Sequence, residues 1–128
     1  MRLDTLKEGQ HPAPTGNDRL LIEAAIEDDA AALKELIAAN ANVNAHDEYG
    51  MTALHHAAGS GSRSCIRALV SSDQCDYLAR DDFGRYASDL AIEWGRDYGV
   101  GRLLTKHQIR QARERGVPPW LPHGQQQI

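Results

Sequence analysis

Cysteine is scarce in this chain of 128 residues, which holds only Cys65 and Cys75. Two cysteines cannot build a disulfide framework, and neither belongs to a zinc-ligand spacing, so both are expected as reduced thiols. Long apolar runs are missing too. No stretch approaches the roughly 18 apolar residues of a membrane span. The opening segment "MRLDTLKEGQHPAPTG" carries Asp4 and Glu8 where a secretory signal needs an apolar run. The expectation is a cytoplasmic protein without a membrane partner. No Walker loop, dinucleotide fingerprint or HExxH motif occurs, so no cofactor is expected and no enzyme class has a motif in its favour.

With 41% hydrophobic and 25% charged residues, the composition is that of an ordinary globular protein, and the length suits one domain. The net charge of −4 is unevenly placed. Residues 17–93 hold fourteen acids against six bases, whereas residues 94–128 hold six bases against two acids. "EGQHPAPTG" combines proline, glycine and polar residues, so residues 1–16 are expected to form a flexible lead-in.

The chain matches itself when displaced. A shift of 33 carries Ala24-Ala25 onto Ala57-Ala58 and "LKELI" onto "IRALV"; a shift of 34 carries Asp47 to Asp81, Gly50 to Gly84 and Gly61 to Gly95. Within a unit, two short amphipathic segments, such as Thr52 to Ala58 and Arg63 to Ser71, flank "GSGS". Helices shorter than about 12 residues do not persist alone in water, so each pair must stack on the next. The alanines, Ala57 and Ala58 among them, let neighbouring helices approach closely, while Leu, Ile and Val fill the layer between.

"DEYGMTALHHAAGSG" and "ANANVNAHD" resemble the signature stretches of the ankyrin repeat, and "DRLLIEAAIEDDAAALKELIAANANVNA" is similar to an N-terminal capping unit of that family. The resemblance covers residues 18–104 and implies an all-α solenoid of about three helix-turn-helix units, 17–46, 47–80 and 81–104, followed by a basic helix and tail over 105–128. It departs in the last unit, where Tyr86 stands for Thr and Ser88 for Leu, so that unit's first helix is expected to be less well anchored. Gly99 and Gly101 are expected to interrupt its second helix.

Thr52 and His55 stand at N-cap and N3 spacing, where a hydroxyl and a side chain can satisfy the free N–H groups of a helix start. The resemblance implies that His55 ties adjacent turns by hydrogen bonds, and that His56 points to the concave face. Adjacent helical residues diverge by about 100° and do not readily chelate one metal, so no metal site is expected. The pairs Asp28-Asp29 and Asp81-Asp82 lie at a helix boundary and a turn, where acids cap or solvate. Cys65 reads as a small core residue.

What remains is surface. The resemblance places partner contacts at the variable positions His46, Glu48, Tyr49, Met51, His56 and Ser60 of one unit and Arg80, Asp82, Phe83, Arg85, Glu93 and Trp94 of the next, with Gly50 and Gly84 shaping the turns. Tyr49, Phe83 and Trp94 carry most weight, because aromatic side chains dominate binding hot spots. Arg102, Lys106, Arg110 and Arg113 form a basic stripe on one helical face. The expected function is non-enzymatic binding of another protein by a chain that is monomeric in isolation. Two other classes stay open: binding of nucleic acid or another acidic partner through the basic helix, and a metal-dependent enzyme using His46, His55 and His56. The overall negative charge argues against nucleic acid as the main ligand. Leu103 and Leu104 leave apolar surface at the last layer, and "VPPWLP" is expected to fold back over it and bury Trp120; the alternative is that "PPWLP" is itself a peptide ligand.

Overall fold

The structure is a computed structural model that describes residues 12–120. Of the lead-in expected over residues 1–16, residues 1–11 lie outside the described residues, as does the tail end over 121–128, and Gly16 already opens the first helix. Six helices follow one another: α1 Gly16–Ile26, α2 Ala30–Ala38, α3 Ala53–Ser60, α4 Arg63–Ser71, α5 Ala87–Glu93 and α6 Tyr98–Arg115. They pair as α1/α2, α3/α4 and α5/α6. Among the described residues there is no strand, only two isolated bridges, His46 to Thr52 and Arg80 to Tyr86, each closing the turn that leads into a first helix. No helix among the described residues is long and apolar enough to cross a membrane.

Four of the helix ends have a clear local cause. Asp29 caps α2 by accepting from the Ala32 N–H at 3.1 Å, and Asp97 caps α6 from the Val100 N–H at 3.2 Å, so the acids at these boundaries satisfy backbone donors. Gly61, at φ +73°, ends α3, and Gly116, at φ +70°, ends α6. Both are left-handed positions that cost glycine little.

The first helices α1, α3 and α5 pack side by side through alanines, of which Ala25, Ala57, Ala58 and Ala91 are wholly buried. Leu21, Leu33, Leu54, Ile66, Leu69, Leu90 and Leu104 fill the layers behind them. Cys65 and Cys75 are buried free thiols. Burial pushes the Cys75 thiol up to about 12, and burial also raises that of Cys65, so both stay protonated and act as small apolar groups.

The last unit differs from its expected form in two ways. Gly99 and Gly101 do not break the second helix, because α6 begins at Tyr98 and holds both glycines in its first turn. Gly101 is instead a contact point: a Cβ there would lie 2.6 Å from Ile92 Cγ1, so its absence lets α6 close on α5. The helix also runs unbroken through residues 104 and 105, where a boundary between repeat and tail was expected. A groove of about 370 Å³ lined by Arg63, Ile66, Val70, Val100 and Leu103 lies between α4 and α6, and Arg63 pairs with the α6 cap Asp97 at 2.6 Å.

Candidate partner-binding surface

Two turns project beside the first helices, and each is built around one aspartate. Asp47 Oδ1 accepts from the N–H groups of Tyr49 and Met51 at 3.0 and 2.9 Å. Asp81 Oδ1 accepts from Phe83 and Arg85 at 2.9 Å each. The second oxygens are spent differently: Asp47 Oδ2 meets His56 Nε2 at 3.0 Å, and Asp81 Oδ2 meets Arg85 Nε at 2.8 Å. Burial works against the charge on Asp47, yet the bonds from His56 and from the Met51 and Tyr49 N–H groups hold its carboxyl below the usual range. The turns are joined by the Asp82 N–H, which donates to the Tyr49 carbonyl at 2.9 Å. Gly50, at φ +76°, must lack a side chain on a second count, because a Cβ would stand 2.8 Å from Asp82 Oδ1. Gly84 has a similar φ of +80°, and among the described residues nothing lies within 4 Å of a Cβ there, no third such turn following it.

His55 is fully engaged inside this frame. Its Nδ1 accepts from the Thr52 N–H at 3.2 Å and lies 2.9 Å from Thr52 Oγ1, its own N–H donates to that hydroxyl oxygen at 3.3 Å, and Nε2 lies 3.0 Å from the Arg85 carbonyl. One tautomer satisfies all four contacts: neutral imidazole with the proton on Nε2. Burial lowers its pKa, which favours that neutral form. His55 thus both caps α3 and ties one turn to the next. His56 is half-buried: its Nε2 is bonded to Asp47, and it lines the groove between α3 and α5. His46 Nδ1 lies 3.3 Å from the Asp47 carbonyl oxygen. Among the described residues no group of three or more His, Cys, Asp or Glu side chains is placed to hold a metal ion.

The other surface positions divide by exposure. His46, Ser60, Arg80, Asp82 and Glu93 are exposed; Glu48, Met51 and Arg85 are half-buried, and Met51 packs partly on the core. Tyr49 is 49% exposed, Phe83 74% and Trp94 65%, so none of these rings is folded into its own turn. Between α3 and α5 lies a groove of about 230 Å³ lined by Met51, His56, Gly59, Leu90 and Trp94. Arg85 lines that groove and also a second cleft of about 460 Å³, bounded by Phe83, Asp89, Glu93, Thr105, Gln108 and Trp120. Its guanidinium lies over the Phe83 ring, 5.0 Å from the centroid.

The tail reaches this second cleft by a route the sequence pattern did not announce. Ser88 is buried at the expected leucine position and donates from Oγ to Gln108 Oε1 at 2.6 Å. Gln108 Nε2 then donates to the Pro119 carbonyl at 2.5 Å. Trp120 is brought back over the last unit but remains 51% exposed, so its expected burial is not met. The polar Ser88 to Gln108 link holds the segment at its backbone and leaves the indole on the rim. The layer is closed by α6 itself. Gln111 accepts from the Tyr77 N–H at 2.7 Å and donates to the Cys75 carbonyl at 2.8 Å, His107 stacks on Tyr77 at 4.7 Å, and Arg115 pairs with Asp76 at 3.0 Å. From the preceding unit, Asn44 bridges the same link, donating to Gln74 O and accepting from the Asp76 N–H. Of the basic stripe, Arg102, Lys106, Arg110 and Arg113 are all exposed, and Arg110 contacts His107 and Glu114.

A comparison with protein-family models matches residues 21–113 to ankyrin repeats in three copies. No curated protein matches the chain. The matched span takes in four complete helices, α2 to α5, with the C-terminal part of α1 and both aspartate-centred turns, and ends inside α6. With its paired helices, its stacked alanine layers and a match over most of its length, the chain belongs to the ankyrin-repeat family.

Proposed function

We propose that this chain is a non-enzymatic module that binds a partner protein through its turn tips and the adjoining faces of α3 and α5. Ankyrin repeats are in general protein–protein interaction modules. The observation that carries the reading here is the exposure of Tyr49, Phe83 and Trp94 on a frame whose own hydrogen bonds are satisfied. Large rings held out by rigid turns bury much area on binding at little cost in side-chain entropy. Asp47, Asp81 and His55 fix the backbone of those turns, so the surface is formed before a partner arrives and little ordering has to be paid for. Chemistry finds no comparable support: both nitrogens of His55 are occupied, His56 is bonded to Asp47, and the thiols are raised by burial.

The test is capture of partners from the native source by the intact chain and by a Phe83→Ala, Trp94→Ala double variant. A partner bound through this surface is lost from the variant and retained by Ser64→Glu, which alters the opposite face on α4. Loss on Ser64→Glu with retention by the double variant places binding elsewhere and overturns the reading.

A further inference from the structure

The cleft beside Trp120 is chemically unlike the groove between α3 and α5. That groove is walled by Met51, Leu90 and Trp94 together with His56 and Arg85, and no carboxylate lines it among the described residues. The larger cleft presents two exposed aromatic rings, Phe83 and Trp120, together with two carboxylates, Asp89 and Glu93. Glu93 makes no hydrogen bond or ion pair among the described residues, and Asp89 uses only Oδ2, which accepts from the Tyr86 N–H at 2.9 Å. Among the described residues Arg85 is the one cation on the wall, and the buried carboxylate of Asp81 neutralises it. The charge left facing the cleft is negative. A ring face together with an unpaired carboxylate is the combination that holds a planar cation, which stacks on the one and donates to the other. Arg85 already shows the stacking on Phe83 from within the chain. Phe83 remains 74% exposed, so much of that ring is still open to a second group.

Resting on the reading of the chain as a partner-binding module, we propose that this cleft accepts an arginine side chain from a basic segment of the partner protein. The guanidinium stacks against Phe83 or Trp120 and donates to Glu93 and to the open oxygen of Asp89. Arginine is favoured over lysine because its delocalised plane both stacks and forks onto a carboxylate. The repeat body offers the matching field, with fourteen acids against six bases over residues 17–93. The site exists only because Gln108 holds Pro119, and with it Trp120, against the last unit.

The probe is an N-acetylated, amidated Gly-Ser-Arg-Ser-Gly peptide, titrated against the intact chain carrying Trp94→Phe so that Trp120 is the only indole. The comparison peptide carries citrulline, which keeps the planar shape and removes the charge. The expected result is a saturable change in Trp120 emission with the arginine peptide that weakens with added salt. Citrulline, Glu93→Gln and Phe83→Ala should each weaken binding by roughly fivefold or more. Both substituted side chains are exposed, so unchanged melting temperatures confirm that the variants are folded; should Phe83→Ala melt early, Glu93→Gln alone decides. Equal binding of the two peptides, indifference to Glu93→Gln, or no saturable response overturns the proposal. The outcome is separable from the general reading. Partner capture lost on Trp94→Ala with no peptide binding sinks the cleft alone, whereas peptide binding without any surface-dependent partner sinks only the broader function.

Discussion

The second and third units are related by a shift of 34 residues, yet they hold themselves together by different chemistry. In the second unit a hydroxyl and an imidazole share the cap of α3, and α3 ends at left-handed Gly61, where an added Cβ would meet nothing nearer than Gly95 O at 3.5 Å. In the third unit Asp89 caps α5, a serine bonded to glutamine replaces a leucine, and the left-handed position has moved to Arg96, at φ +53°. Gly95 is then needed for space, because a Cβ on it would collide with the carbonyl oxygen of Ala58 and lie 3.1 Å from that of Ala91. Equivalent glycines thus serve unlike purposes: one supplies a backbone conformation, the other lets two helices touch.

Substitution at these paired positions sharpens the contrast, and the largest effect is expected at Gly95. Gly95→Ala should cost about 3 kcal/mol or more, since the colliding atoms are backbone and cannot swing away. Gly61→Ala should cost only about 1 kcal/mol, the strain of a left-handed alanine. Urea unfolding of both variants measures the difference, and equal losses would erase the distinction.

The two caps are compared next. His55→Ala removes the α3 cap and the link to Arg85, and should destabilise by about 2 kcal/mol; Asp89→Ala removes one bond and should cost about 1 kcal/mol. The reverse order of unfolding midpoints would show that the third unit, not the second, anchors the stack. Ser88→Leu, which restores the family residue, should fail to stabilise. It overfills a buried site and strips Gln108 of its partner, at about 1–3 kcal/mol; a higher melting temperature would mean the polar link contributes nothing. Truncation after Gly116 should cost about 1 kcal/mol, the order of one hydrogen bond, because Trp120 is half in water. In a Trp94→Phe background, emission from Trp120 should be that of an indole open to water.

The smallest effect is that of pH. Burial lowers the folded-state pKa of His55 below its ordinary 6.5, and burial with Arg110 and Lys106 lowers that of His107. The unfolded chain therefore binds protons that the folded chain refuses. Stability is complete above about 6.5 and falls as pH drops below it. Unfolding curves between about pH 7 and pH 5 should show that decline, and it should be shallower in His55→Ala. A decline equally steep in the variant would place the proton elsewhere.

Much of this was legible in the residues. The 33- and 34-residue shifts located the units, Thr52 and His55 stood at capping spacing, and the aspartates before each glycine marked the turns. The exposure of Tyr49, Phe83 and Trp94 agrees with their placement at variable positions. His56 was less legible, because its bond to Asp47 spans nine residues and depends on how the turn folds back. The cleft that joins Phe83 to Trp120 had no signal at all: the chain returns to it through Ser88, Gln108 and Pro119, contacts that follow no repeat spacing.

The sequence by itself determined the helix pairs, the stacking layers and the turn positions, because each depends on a pattern within one unit or on its repetition in the next. Only the tertiary structure decided how the last layer ends. Whether Gly101 breaks a helix or seats it, whether Ser88 is a defect or a donor, and whether Trp120 is covered or left at a rim are set by atoms that meet across about 10 residues or more of chain with no period to announce them. A repeat makes its interior contacts predictable because every unit sees the same neighbour; the terminal unit lacks that neighbour, and its contacts are built from whatever side chains the closing helix brings.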